Sequence, residues 1–233
     1  MRFLTAHWKN LCLVTYAVPP ALLEPRLPEG LTLDTRGGDA FVSLVAFDFL
    51  ETRVLGVPWP GYRHFPEINL RFYVRHGAQR GVVFIRELVP KRLIASLARS
   101  LYNEPYLAIP MKSRTTREGG TITVAHEFVL GAAHSLEVVA RDETHVPGED
   151  SLEHFFKEHA WGFGRDRRGR TLRYQVQHPA WEVYREPRVE LDVDFGEVYG
   201  YDFAALSSAK PYSVVLAVGS PIVVYGKTTL PRQ

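Results

Sequence analysis

The densest set of reactive side chains in this sequence lies in Phe65-Pro66-Glu67-Ile68-Asn69-Leu70-Arg71-Phe72-Tyr73-Val74. On a β-strand, successive side chains point to opposite faces. Glu67, Asn69, Arg71 and Tyr73 therefore share one face, and Leu70, Phe72 and Val74 share the other. Turned to water, the first row is an ordinary wet strand surface. Turned into an enclosed space, it is a carboxylate, an amide, a guanidinium and a phenol lining a cavity. Such groups must then be paired, because a lone buried charge is very costly. Arginine and glutamate so placed hold each other, or the arginine grips a ligand's carboxylate through two N–H groups.

Two further segments carry reactive groups. Ala98-Arg99-Ser100-Leu101-Tyr102-Asn103-Glu104-Pro105-Tyr106 runs from a helix end into a turn at Pro105. Residues at such a boundary often point into a cavity; the alternative is an arginine favoured by the helix dipole near the carbonyl end. In His178-Pro179-Ala180-Trp181, Pro179 bends the chain, Trp181 reads as core, and His178 reads as a satisfied histidine or a proton carrier.

Other chemistries have little support. The chain has nine histidines but no HxH or HExxH spacing. His154 and Glu158 are four apart on an expected helix, where two solvent-facing polar side chains are the simpler reading. No GxSxG elbow occurs, and Gly219-Ser220-Pro221 reads as a strand break. Cys12 sits in an apolar strand and reads as a buried, inert thiol. Neither Gly-rich phosphate loop is present. Arg165-Asp166-Arg167-Arg168-Gly169-Arg170 reads as a solvated hairpin tip.

Strands must position most of these residues. Leu11–Val18, Ala40–Phe49, Ile68–Arg75 and Val82–Val89 are apolar or alternating, and the last two read as a hairpin around Gly77 and Gly81. Thr121–Leu130, Ser135–Arg141, Thr171–Gln177, Trp181–Phe195 and Tyr212–Tyr225 follow. Helices are few. Pro19–Leu27 is short and proline-bounded. Lys91–Tyr102 places Leu93, Leu97 and Leu101 on one stripe after Pro90. Asp150–His159 opens on Asp150 with Glu153 three later, a capping-box pattern that turns Phe155, Phe156 and His159 inward. The expectation is one β-rich α+β domain over residues 1–233.

Composition is ordinary: 233 residues, 45% hydrophobic and 23% charged, with a formal net charge of +2. That balance gives no reason to expect nucleic acid or a membrane surface as partner. The single cysteine, Cys12, excludes an internal disulfide and fits a reducing compartment. The N-terminus lacks a signal-peptide core, being interrupted by His7, Trp8 and Lys9, and Val214–Tyr225 is shorter than the about 20 apolar residues a span needs. The expected location is the cytoplasm.

Together these segments resemble the YqjF-like family of uncharacterised conserved bacterial proteins. The resemblance rests on Trp8, Leu27-Pro28-Glu29-Gly30, Ala40-Phe41-Val42-Ser43-Leu44-Val45-Ala46-Phe47, the Phe65–Val74 and Ala98–Tyr106 segments, Ser151-Leu152-Glu153-His154-Phe155-Phe156 and His178-Pro179-Ala180-Trp181. It covers nearly the whole chain. The family is similar to a branch of the acetoacetate decarboxylase-like superfamily. This implies an antiparallel β-barrel with a central cavity, a few short helices and homo-oligomers. In the decarboxylase a lysine of a Gly-Arg-Glu…Pro-Lys segment forms an imine with a β-keto acid, its pKa lowered by a cation and an apolar pocket. Carried over, Glu67 matches a cavity glutamate and Arg99 matches the segment's arginine. Ala98 replaces its glycine, Ser100 its glutamate, and Tyr106 stands where the lysine belongs. A phenol forms no imine.

The expectation is a cavity for a small, carboxylate-bearing molecule such as an organic acid, with no metal and no cofactor. Glu67, Arg99 and Tyr106 would serve any chemistry, and Arg71, Asn69 and Tyr73 would hold the ligand. Whether the protein is an enzyme stays open. A decarboxylase or lyase with a relocated amine, Lys112 first, and a non-catalytic structural or regulatory module are the alternatives.

Overall fold

The computed structural model describes residues 1–231, with the side chains of 99–102 outside that description. The strands are β1 (Arg2–Val18), β2 (Thr32–Leu33), β3 (Ala40–Val54), β4 (Phe65–His76), β5 (Gln79–Val89), β6 (Tyr106–Ala108) and β7 (Met111–Glu118). They continue as β8 (Thr121–Leu130), β9 (Ala132–His145), β10 (Trp161–Arg165), β11 (Thr171–Gln177), β12 (Val183–Asp192), β13 (Ser213–Tyr225) and β14 (Thr228–Thr229). The helices are α1 (Pro20–Leu23), α2 (Arg92–Tyr102), α3 (Leu152–Lys157) and α4 (Phe195–Tyr199). The expected β-rich fold with a few short helices is thus the observed one.

The strands form one hydrogen-bonded path, β14-β11-β10-β5-β4-β3-β1-β13-β12-β9-β8-β7. A further pairing of β11 with β13, at Val176↔Val224 and Gln177↔Val223, joins two distant members of the path. It closes β11, β10, β5, β4, β3, β1 and β13 into a ring. Most joints are antiparallel, but β10 runs parallel to β5 from Trp161↔Gly81 to Phe163↔Val83.

Strand alternation sorts residues to the two sides of this ring. Leu11, Leu13, Val45, Phe47 and Phe49 pack together inside. Their alternates Cys12, Val14, Val42, Leu44, Leu70 and Phe72 face outward. There the sheet of β8 and β9, with Phe195 and Val198 of α4, covers them. Both faces of β1 and β3 are therefore buried over much of their length, which is why Leu11–Val18 and Ala40–Phe49 read as nearly continuous apolar runs, while β4 turns Glu67, Asn69 and Arg71 into the ring. Cys12 is fully buried, and burial pushes its thiol far above the ordinary range.

Strand β1 bends at Asn10, whose backbone is left-handed at φ 54° beside a register shift against β3. The Asn10 amide donates to Thr115 on β7 at 2.9 Å, tying the two layers.

Helix α3 stoppers one end of the ring. Phe155 and Phe156 are buried there against Phe41 and Tyr73. The helix is capped by Ser151, whose hydroxyl accepts the His154 N–H at 3.1 Å, and not by Asp150 as the sequence suggested. His159 lies past its end, buried and 4.9 Å from the Tyr73 ring. Helix α2 departs from expectation more instructively. Of its described apolar residues Ala95 is fully buried, whereas Leu93 and Leu97 are 42% and 41% exposed.

The β5–β10 joint depends on Gly81. A Cβ there would lie 2.5 Å from the Trp161 carbonyl oxygen and 2.6 Å from the Phe163 ring. Gly81→Ala is expected to cost about 1–3 kcal/mol, the range for forced overpacking. Gly148→Ala, with nothing within 4 Å of its Cβ, should change stability by less than about 0.5 kcal/mol. Urea denaturation of both variants checks the contrast.

Candidate functional site

The interior of the ring is not filled. A cavity of about 340 Å³ remains, lined by residues of β1, β3, β4, β5, β6, β11, β13 and α2. Register places its polar wall. Phe47, Val45 and Ser43 of β3 face Glu67, Asn69 and Arg71 of β4. Asn69 in turn faces Glu87 of β5, and Glu87 faces Tyr106 of β6. Glu67, Asn69 and Glu87 are buried to 3% exposure or less, and Arg71 is 8% exposed.

Glu67 is held from two sides. Its Oε2 accepts the Tyr106 hydroxyl at 2.9 Å, and its Oε1 accepts the Asn69 amide at 3.2 Å. Burial raises its pKa to about 7 against these hydrogen bonds and the nearby Arg71 charge, all of which lower it. Glu87 lies against the same Tyr106 hydroxyl. Burial, with the charges of Glu104 and Glu67, raises its pKa well above the usual carboxylate range. Glu104 is hydrogen-bonded to Tyr174, and burial pushes its pKa to about 8. The phenols of Tyr106 and Tyr174 are pushed upward, chiefly by burial. The cluster therefore carries protons near neutral pH.

Arg71 donates to the Phe156 carbonyl at 3.3 Å. Among the described residues its guanidinium makes no ion pair within 4 Å, and its Nε has no hydrogen-bond partner. Asn69 Oδ1 and Glu87 Oε2 are likewise buried without a partner among the described residues.

Of the expected site residues, Glu67, Asn69, Arg71 and Tyr106 converge on this cavity. Tyr73 shares their strand face but lies past the cavity, where its hydroxyl bonds Ser43 and the Phe156 carbonyl. The Arg99 side chain lies outside the described residues. Lys112 is on the surface of β7, 74% exposed and paired with Glu127 at 3.0 Å. The cavity wall, among the described residues, contains no lysine. His178 stacks on Trp181 at 4.1 Å and is not part of the wall. Among the described residues no three His, Cys, Asp or Glu side chains are gathered closely enough to hold a metal ion.

Glu87, Glu104 and Tyr174 line the cavity, and sequence reasoning gave them no role. Glu87 carried a faint signal, a charge inside the apolar run Val82–Val89. Tyr174 occupies space left by Gly162, where a Cβ would lie 2.2 Å from the Tyr174 ring. That signal needs the β10–β11 register to be read.

A ring of strands, extended through β12, β9, β8 and β7 and carrying short helices, is shared with acetoacetate decarboxylase-like proteins. The acetoacetate decarboxylase-like enzyme from Sphingomonas wittichii RW1 superposes with a TM-score of 0.67 at 16% identity, over 100% of this chain and 95% of that one. The enduracididine biosynthesis enzyme MppR, solved with pyruvate, gives 0.67 at 14%, over 100% and 92%. Acetoacetate decarboxylase from Legionella pneumophila gives 0.67 at 12%, over 97% and 87%. These likenesses establish the fold. The chain belongs to DUF2071, a family of uncharacterized conserved proteins that matches residues 5–221. It is 34% identical over 107 residues to the uncharacterized protein YqjF of Bacillus subtilis (strain 168), a match spanning 46% of this chain and 44% of YqjF. No helix among the described residues is long and apolar enough to cross a membrane.

The acid cluster sets a pH dependence of stability. Glu67 and Glu104 bind protons more tightly in the folded protein than at the 4.5 of a free glutamate. The unfolded chain therefore releases its protons first as pH rises. For these groups the stabilisation is complete below about pH 4.5 and is lost as pH climbs through about 7 and 8. Glu104→Gln removes one such group. By denaturant titration it should match wild type near pH 5 and exceed it by about 1–3 kcal/mol near pH 8.5. Parallel stability curves would exclude a protonated cluster.

Proposed function

We propose that the cavity binds a small carboxylate-bearing organic molecule, with Arg71 as its anchor and the Glu67–Tyr106 pair as its hydrogen-bonding and proton-exchanging partner. The observation that carries this reading is the buried guanidinium of Arg71, which lines the cavity and has no carboxylate within 4 Å among the described residues. An arginine keeps its charge in proteins, and leaving it buried without a counter-ion is costly. A ligand carboxylate supplies the missing charge and accepts the guanidinium N–H groups.

The neighbouring acids favour the same occupant. Burial keeps them protonated near neutrality, so they act as hydrogen-bond donors rather than repelling an anion. Glu67, poised near pH 7, suits proton exchange with a bound carbonyl or hydroxyl group. Tyr106 cannot form an imine, and the described wall offers no lysine, so chemistry in this cavity would be proton transfer. That a fold neighbour was solved with pyruvate, itself a carboxylate, is consistent with the proposal.

Thermal shift and calorimetry with a panel of keto and hydroxy acids test the reading. Arg71→Met is expected to weaken binding about tenfold to hundredfold, as expected for a lost charged hydrogen bond. Affinity should also fall by up to about tenfold per pH unit above pH 8, because ionising the acids places like charge beside the ligand. Binding unaffected by Arg71→Met would overturn the anchor.

A further inference from the structure

The cavity has a second wall that the carboxylate reading leaves unused, and we infer that its ligand is amphipathic: a carboxylate head at Arg71 joined to an apolar tail that runs out beneath Trp59, Leu93 and Leu97. This rests on the proposed carboxylate site for the head and extends it to the rest of the molecule.

Three observations carry the tail. The first is sidedness. The ionisable residues come from β4, β5, β6 and β11 and from Glu104 just before β6, with Tyr62 at the rim, whereas β1 and β3 contribute Trp8, Leu11, Phe47 and Phe49 with the one hydroxyl of Thr52. The aromatic rings there already pack on one another, Trp8 on Phe47 at 5.0 Å and Phe49 on Phe65 at 4.8 Å. They form a continuous apolar surface that offers little to a short polar acid.

The second is length. Arg71 lies at the end of the ring stoppered by α3, where it reaches the Phe156 carbonyl. Phe65, Tyr62 and Trp59 line the opposite end. Arg71 and Phe65 are six residues apart on one strand, which at about 3.3 Å per residue separates them by about 20 Å. A molecule of three or four carbons gripped by Arg71 cannot reach that rim. The volume, about 340 Å³, falls in the roughly 300–1,000 Å³ range of pockets that enclose larger ligands.

The third is the rim itself. Trp59, Leu93 and Leu97 are 50%, 42% and 41% exposed, yet all three line the cavity. Single exposed apolar residues are ordinary. These converge on one opening from the loop before β4 and from α2, which seats Ala95 and Ile94 on the core but leaves Leu93 and Leu97 half-exposed. A tail leaving the cavity would cover them and supply the contacts that the fold does not.

Straight-chain carboxylates from acetate to hexadecanoate, kept below their aggregation concentrations, provide the test by calorimetry. Affinity is expected to rise about threefold to fourfold per methylene from butyrate to octanoate, the increment of burying one CH₂. The double variant Trp59→Ser, Leu97→Ser, both at exposed positions, should flatten the further rise beyond about dodecanoate, where an extended tail first nears the rim, while leaving butyrate binding unchanged. Octanol should bind at least tenfold more weakly than octanoate, a difference that Arg71→Met abolishes. Affinity independent of chain length but still lost in Arg71→Met would overturn the tail and keep the head-group site. Octanol binding as well as octanoate, indifferent to Arg71→Met, would overturn the head-group site and keep the apolar channel. A length dependence unaltered by the rim double variant would overturn the tail's placement. No binding at any length overturns both.

Discussion

The structure turns on the cost of desolvating charge inside a closed ring. Glu67, Glu87 and Glu104 are all buried, and burial outweighs the nearby charges of Arg71 on Glu67 and Lys227 on Glu104. Ionised together, they would repel one another in a medium that screens poorly. They persist by remaining protonated and by sharing two phenols, Tyr106 with Glu67 and Glu87, and Tyr174 with Glu104. The same condition makes the cavity a source of hydrogen-bond donors. The desolvation that destabilises the protein at high pH is also what would suit the cavity to the proposed anionic ligand, in line with the tendency of perturbed groups to collect at functional sites.

That arrangement requires the ring to close, and closure is a local matter. The β11–β13 contact comprises two residue pairs, and the β5–β10 joint three. The β5–β10 and β10–β11 pairings each rely on a glycine that yields space. Gly81 admits the Trp161 carbonyl and Phe163 ring, and Gly162 admits the Tyr174 ring. Glycine in a strand interior weakens the strand but permits such an approach. The ring thus trades intrinsic strand propensity for an interior wide enough to hold phenols.

The alternation over Phe65–Val74 was legible because both faces of a strand obey a period of two, whichever way the strand faces. Its direction was not legible. Glu67, Asn69 and Arg71 look the same on a wet surface and in a cavity, and only the closing pairing decides between them. Tyr73, two residues on, has the same parity but lies where α3 fills the ring, so it became a structural hydrogen-bonding group. Parity says which side a residue faces, not how far along the ring the space extends. Glu87, Glu104 and Tyr174 escaped for a related reason. Their convergence depends on registers among β4, β5, β6, β10 and β11, which no single segment encodes. The stripe of α2 was visible, but its spacing gave no sign that Leu93 and Leu97 border an opening instead of a core.

Tyr106 gives the clearest indication of what the shell can do. The resemblance to the decarboxylases places it where a nucleophilic amine would stand, and the structure puts its hydroxyl 2.9 Å from Glu67 at the cavity wall. An amine there needs a lowered pKa, supplied by neighbouring cations and burial. A phenol needs neither, and here burial and the adjacent carboxyls raise its pKa instead. The environment around residue 106 is therefore acidic and proton-rich, the opposite of what an imine-forming lysine requires. Replacing Tyr106 with lysine would consequently not restore imine chemistry by itself. The new ammonium would pair with Glu67 and Glu87 and remain protonated, its pKa held up by the groups that now hold the phenol's proton. The difference between the two chemistries lies in the whole polar wall rather than in one residue.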